Sequence, residues 1–378
     1  MFEHYIRSGA KLLRCGYTTG TCAALAAAGA AQLLLSGKAP ESLQLLTPRG
    51  LTVEVTPESC ALQGDSALCA VRKDAGDDPD VTDGLLICAE ATRIPQGIRL
   101  EGGKGVGRVS RPGLDQPVGE AAINRVPRQM IRAAVEAVCA ELAYPGGISV
   151  VISVPGGEAI AKKTFNPALG IEGGISILGT SGIVEPMSEQ AIVDTIHLEI
   201  RQAAAAGFRR LILVPGNYGS DFLLQTFPGL NSLPRTRCSN FIGEALDMAA
   251  LEGFRELLLV GHIGKLVKLA GGIMNTHSRT ADCRRELFCA HAAVCGASQE
   301  SCQKIMKQVT SDGCIAVLDD AGLRGSVMQS LLSGMQTALD RRAAGAFNVG
   351  AATFSNEYGF LGMTPTAEKL LQNWRVEL

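Results

Sequence analysis

Apolar residues in this chain come in short dense runs separated by glycine-rich turns. ISVVISV, GISILG, RLILVPG and ELLLVGH lack strict alternation, the pattern of strands buried on both faces of a parallel sheet. Helical stretches lie between them, SEQAIVDTIHLEIRQAAAAG and NFIGEALDMAALEG, each closing on a glycine. The strands run into glycine turns (VPGGE, LGTSG, VPGNYG, VGHIG), and ligands of open parallel sheets bind at such carboxyl ends. Upstream, Gly20–Leu35 is apolar all round and predicts a buried helix, with Thr19 or Thr21 as its cap. LQLLT and LTVEVT predict a hairpin through Pro48-Arg49-Gly50, ALCAV and GLLICAEA two further strands, and Pro127 the start of a helix over PRQMIRAAVEAVCAELA. The expected fold is an N-terminal α+β domain over residues 1–145 and an α/β domain with a mainly parallel sheet over 146–345. Residues 346–378 are expected as a strand and helix packing back on the core.

Between Lys73 and Thr82 the sequence KDAGDDPDVT crowds four aspartates, Asp74, Asp77, Asp78 and Asp80, around Gly76 and Pro79. Glycine and proline interrupt both helix and strand, so this is a loop at a strand end. Its concentrated negative charge self-repels without a positive partner, and four hard carboxylates first suggest a divalent cation.

Composition narrows the class. With 378 residues, 44 glycines and few aromatics, the chain suits an α/β protein with tight turns, and a net charge of −2 carries no nucleic-acid or membrane signature. The first residues lack the apolar core of a signal peptide, and no run of about 18 apolar residues marks a membrane span. A cytoplasmic protein is expected. Most of the 12 cysteines fall in apolar stretches and none forms a CxxC pair, which fits buried free thiols in a reducing compartment. His291 and Cys295 share a helical face, but the tight ligand pairs of structural zinc are missing, and no protein metal ligand is expected.

Positive charge concentrates in two places. Residues 93–132 carry eight cations against three anions, and 262–285 five against one. For Lys104, Arg108 and Arg128, beside glycines or proline, an anionic substrate competes with a solvated face as the explanation. No GxSxG elbow, Walker loop or HExxH is present. That absence suits a reaction whose nucleophile belongs to the substrate, leaving the protein to position two ligands.

The ordered segments RCGYTTGTCAA, KDAGDDPDVT, GKGVGRVSRPGL, VGEAAINRVPRQMI, KKTFNPALGIEGGISILGTSGIVEPMS, GNYG, CSNFIGEALD and VGHIGKLVKLAGGIMNTHSRTAD closely resemble the cobalt-precorrin-5B C(1)-methyltransferase family (CbiD) of anaerobic cobalamin biosynthesis. The resemblance covers roughly residues 12–285, with an echo in ATFSNEYGFLGMTPTAEKLL. Departures are small: Asp83 stands where a histidine is common, and Ala121-Ala122 where Glu-Pro-Ala is usual.

This resemblance implies methyl transfer from S-adenosylmethionine to C1 of a cobalt-bearing tetrapyrrole, giving cobalt-precorrin-6A, with cobalt present only in the substrate. Candidates for the cofactor are Gly179, Thr180, Ser181 and Gly182, with Gly216, Asn217 and Gly219; tight strand–helix packing explains each glycine singly as well. For the ring carboxylates the candidates are Lys104, Arg128, Lys265 and Arg279. His262 and His277 are the best proton acceptors by unperturbed pKa. A polyanionic substrate argues against a carboxylate-lined contact surface, so Asp77 or Asp78 is expected to orient a basic residue or take a ring proton, while Asp74 and Asp80 cap loop amides. A nucleotide-dependent dehydrogenase and a non-catalytic corrinoid carrier remain open. No nucleic acid or membrane partner is expected, and homo-oligomerisation is left open.

Overall fold

The computed structural model describes residues 2–8, 11–167 and 169–376. It forms two compact units, Met1–Glu189 and Gln190–Leu378.

In the first unit, helix α1 (Thr19–Ser36) is surrounded on its long sides. It packs on a five-stranded sheet and on α2 (Arg125–Glu141), which is why its sequence is apolar all round. Contrary to the expectation from run lengths, α1 is long and apolar enough to cross a membrane, but 78% of it is buried within the fold. The sheet comprises β1 (Ser59–Gln63), β2 (Ser66–Arg72), β3 (Leu86–Ile94), β4 (Ile98–Gly102) and β5 (Gly147–Ser153), in the order β1-β2-β3-β5-β4. It is antiparallel except for the β5–β4 pair. The predicted hairpin forms between Leu43–Leu46 and Thr52–Val55.

Several sequence expectations shift here. ISVVISV becomes β5, an inner strand of this sheet hydrogen-bonded to residues 88–102, so the boundary lies after Glu189 and not at 145. GISILG supplies only the pair Gly174–Ile175, bonded to Gly105–Val106. A Cβ on Gly174 would stand 2.3 Å from the Gly105 carbonyl carbon, so backbones meet where side chains would keep strands apart. Thr18, one residue earlier than expected, caps α1 by accepting from the Thr21 amide at 3.2 Å. Asn124 occupies the N-cap position of α2, leaving Pro127 third in the helix, where the missing N–H is still one of the unpaired first four.

The second unit is an α/β layer structure. Its elements are α3 (Glu189–Ala205), β6 (Arg210–Val214), α4 (Asn217–Thr226), β7 (Arg235–Arg237), α5 (Ile242–Leu251), β8 (Glu256–His262), α6 (Arg284–Val294), α7 (Gln299–Met306), α8 (Ser311–Asp320), α9 (Arg324–Ala343), β9 (Asn348–Ser355), β10 (Gly359–Met363) and α10 (Pro365–Val376). The order is β7-β6-β8-β9-β10, parallel except for β10, as the dense apolar runs predict. Successive strand residues face opposite cores. Leu211, Leu213, Leu257 and Leu259 meet α3, α5 and the helices α6–α9, whereas Ile212, Val214, Leu258 and Val260 meet α4 and α10. The described part of the predicted 346–378 segment, to residue 376, is integral, since β9 is an inner strand.

Candidate active site

The chain leaves β6 through α4 to β7 on one side, then returns to place β8 on the other. Strand order therefore reverses between β6 and β8, and the crevice beyond their carboxyl ends is where open α/β sheets hold ligands. Pro215-Gly216 and the start of α4 form one lip, and His262-Ile263-Gly264 the other.

Gly216 is extended (φ −171°) and, among the described residues beyond its chain neighbours, no atom lies within 4 Å of where its Cβ would stand, so the space beside it is open. Gly219 is different. A Cβ there would fall 2.2 Å from Val214 Cγ1, so this glycine lets α4 lie on the sheet. Asn217 opens α4, and its side chain lies outside the described residues.

Lys265, expected to meet substrate carboxylates, turns inward instead. Its ammonium donates to the Pro215 carbonyl at 2.5 Å and to the Ser239 carbonyl at 3.4 Å, tying the turns after β6 and β7 to that after β8. Burial pushes its pKa below the ordinary lysine value. The proton-acceptor expectation for His262 also changes. Its Nδ1 accepts from the Gly264 amide at 3.1 Å, so the neutral ring carries its proton on Nε2, which is then a donor. Burial lowers the pKa of this imidazole, with Asp312 pulling weakly the other way.

His277 and Arg279 reach the same edge through a loop. The Thr276 amide donates to the Asn240 carbonyl at 2.9 Å, just beyond β7, and the Gly243 amide to the Met274 carbonyl at 3.2 Å. His277 Nδ1 accepts from the Arg279 amide at 3.0 Å, so its neutral ring too presents Nε2–H and not a lone pair. The Arg279 side chain is exposed and has no ion pair among the described residues.

Beside His262 lies an aromatic group that no single sequence position signalled. Phe222 stacks on Phe354 at 4.2 Å, Phe354 meets the His262 ring edge-on at 5.7 Å, and Phe360, 44% exposed, lies 6.3 Å from Phe222. Asn240 and Thr276 were equally unmarked, because their contribution is contact across 36 residues.

In the first unit, the remaining motifs converge on the start of α1. The segment carrying Gly179, Thr180, Ser181 and Gly182 straps over it: the Gly20 amide donates to the Leu178 carbonyl at 3.0 Å, and the Gly182 carbonyl accepts the Thr18 amide at 3.1 Å and the Thr21 hydroxyl at 2.6 Å. Ser181 Oγ bonds its own turn at Ile183, and Thr180 is exposed. Gly179 (φ +131°) has no room for a side chain, since a Cβ would meet Thr18 Oγ1 at 2.3 Å. The Thr18 and Gly20 amides at the start of α1 are thus satisfied by carbonyls of this segment.

The acidic loop is a clasp. Asp74 takes a two-pronged bond from the Arg14 guanidinium at 2.6 and 2.8 Å and caps the Gly76 amide at 2.8 Å. Asp80 accepts from the buried Lys73 ammonium at 2.7 Å and caps the Thr82 amide at 2.8 Å. The Arg14 hydrogen bond holds the Asp74 carboxyl below its usual pKa; for Asp80, burial pushes upward, and Lys73 together with the Thr82 hydrogen bonds outweighs it, leaving that carboxyl low as well. Asp77 and Asp78 each accept a backbone amide, from Arg14 at 2.7 Å and Met187 at 2.9 Å. The basic partners were legible as direct neighbours of the motifs, Lys73 opening KDAGDDPD and Arg14 opening RCGYTTG. No cluster of three metal-capable side chains occurs among the described residues.

Of the remaining basic candidates, Lys104 is exposed. Arg128 is turned onto its own chain, donating to the carbonyls of Ile123 at 2.8 Å and Ala121 at 3.2 Å, with Glu120 at 3.6 Å. It buttresses α2 and is not held out for a ligand.

Residues 6–186 match the CbiD family model and residues 275–365 the model of the CbiD C-terminal domain. The cobalt-precorrin-5B C(1)-methyltransferase of Ruminiclostridium cellulolyticum is 50% identical over 341 residues, covering 90% of this chain and 88% of the relative. Those of Alkaliphilus metalliredigens and Moorella thermoacetica are each 42% identical, covering 98% and 96% of this chain and 97% and 98% of theirs. A crystal structure of the cobalamin biosynthesis protein cbiD from Archaeoglobus fulgidus is 31% identical, with a TM-score of 0.40, covering 75% of this chain and 87% of that one. With both family models matched in order and relatives at this identity over nearly its whole length, the chain belongs to the CbiD family.

Proposed function

We propose that this protein transfers a methyl group from S-adenosylmethionine to C1 of cobalt-precorrin-5B, giving cobalt-precorrin-6A, in the cytoplasm. The relatives are named cobalt-precorrin-5B C(1)-methyltransferase, which supports the substrate and the position of methylation. The structural observation that carries the reading is the strand-order reversal between β6 and β8, with open space at Gly216. The donor set there fits the methyl donor: first-turn amides of the ten-residue α4 suit its carboxylate, and the aromatic group beside His262 suits a flat ring. When bound, S-adenosylmethionine supplies an electrophilic methyl group.

The chain's own part is alignment. Lys265 holds the lips of the crevice in register through two carbonyls, His262 offers Nε2–H as a donor, and Gly216 keeps the approach clear. Arg279, exposed on the loop that reaches this edge, is placed to meet an acetate or propionate carboxylate of the tetrapyrrole. The attacking carbon belongs to the substrate, so a covalent nucleophile is not needed and positioning supplies much of the rate.

Incubating purified protein with cobalt-precorrin-5B and methyl-labelled S-adenosylmethionine tests this. The expected result is a mass gain of one methyl group, with the label at C1 by NMR. Retention of the tetrapyrrole without methyl gain makes the protein a carrier, and tight NADH binding without S-adenosylmethionine binding makes it a dehydrogenase.

A further inference from the structure

Lys268 is 2% exposed, yet among the described residues no carboxylate lies within close hydrogen-bonding range of its ammonium. It donates to two backbone carbonyls, Thr276 at 3.0 Å and Ala281 at 2.8 Å, while Asp282 stands off at 3.9 Å. Burying an ammonium is expensive unless its donors are satisfied, and here the satisfaction comes from the two ends of one turn.

That turn is His277–Thr280. Within it, the His277 amide donates to Asn275 Oδ1 at 3.1 Å, the Arg279 amide to His277 Nδ1 at 3.0 Å, and the Thr280 amide to the His277 carbonyl at 3.0 Å. Asn240 fixes Thr276 a second time. Besides the hydroxyls of Ser278 and Thr280, the turn exposes the Arg279 guanidinium, and the half-buried His277 ring carries its proton on Nε2; these donors suit a carboxylate.

We infer that Lys268 is a positioning residue, holding the His277–Arg279 turn in the shape that recognises a carboxylate side chain of the substrate. This rests on the methyltransferase reading. Without the ammonium, the two freed carbonyls recover their hydrogen bonds from water only if the turn swings outward, taking Arg279 with it. A lysine that merely stabilised the fold would act on substrate binding independently of Arg279.

Lys268→Met, close in length and without donors, separates the two. Loss of bonds from a charged donor predicts a rise in KM for cobalt-precorrin-5B of about ten- to a hundredfold with kcat retained. Arg279→Gln raises KM as well, and in the Lys268→Met background it adds little further. Multiplicative effects of the two substitutions overturn the proposal. Hydrogen exchange of the ligand-free protein gives a second readout: faster exchange confined to residues 277–281 supports the role, and unchanged exchange there overturns it. Because that measurement needs no turnover, it judges Lys268 even if the wild-type protein transfers no methyl, an outcome that sinks the functional reading instead. Should Lys268→Met not fold, Lys268→Arg takes its place: displaced donors raise KM if the inference holds, and an unchanged KM overturns it.

Discussion

The Lys265 ammonium donates to the Pro215 carbonyl at 2.5 Å, across 50 residues of sequence, and so joins the two turns on either side of the strand-order reversal. A cation expected to face the ligand thus sets the distance between the parts that would receive it.

Replacing Lys265 by methionine leaves the buried Pro215 carbonyl without its donor. A loss of about 1–3 kcal/mol in stability is expected, measured by urea denaturation, with a larger loss of S-adenosylmethionine affinity by calorimetry. Unchanged affinity at reduced stability would remove the crevice from consideration as the cofactor site.

Two glycines predicted for the same cofactor should behave oppositely. Gly179→Ala places a Cβ 2.3 Å from Thr18 Oγ1 at φ +131°, and a destabilisation of at least about 2 kcal/mol is expected. Gly216→Ala has open space and an extended backbone, so melting temperature should hold while cofactor binding falls. A Gly216→Ala protein that binds normally excludes close approach of ligand to that turn.

The His262 imidazole has a pKa below the ordinary 6.5 because it is buried. As pH falls through 6.5, the unfolded chain takes up a proton before the native one does, so this group's contribution to stability declines from there down to the native pKa. His262→Asn keeps an acceptor for the Gly264 amide and removes that slope. Nitrogen NMR should find the neutral ring protonated at Nε2; protonation at Nδ1 is incompatible with the bond from Gly264.

The aspartates of the clasp divide by partner. Asp74 and Asp80 have pKa values below the ordinary 3.8, so their stabilisation is present above 3.8 and is lost as pH falls through the lower native values. Asp74→Asn breaks the two-pronged Arg14 pair, with an expected loss of about 1–3 kcal/mol at neutral pH and a shallower acid transition. Asp77→Asn retains an oxygen for the Arg14 amide and should change stability by less than about 1 kcal/mol. A large fall in its methyl transfer at unchanged stability would assign Asp77 a chemical part beyond the clasp.

Burial was written plainly in the chain. RLILV, ELLLVGH and the all-apolar Gly20–Leu35 announce residues that cannot face water, and each is a buried strand or helix. ISVVISV announces the same, but an apolar run states that two faces are covered and not by what. Its hydrogen bonds to residues 88–102 place it in the first sheet. Glycine turns were equally visible and equally ambiguous, for Gly219 exists to let a helix touch a sheet and Gly216 leaves space.

By itself, then, the sequence determined the element types, the α+β and α/β character of the two parts, the family, and the local charges of the acidic loop. Those depend on periodicity, composition and neighbours within a few residues. Tertiary structure alone decided which way the polar groups point: Asp74 to Arg14 across 60 residues, Lys265 to Pro215 across 50, Thr276 to Asn240 across 36. A hydrogen bond acts only over about 3 Å, and no spacing along the chain encodes which distant carbonyl folding brings within that reach.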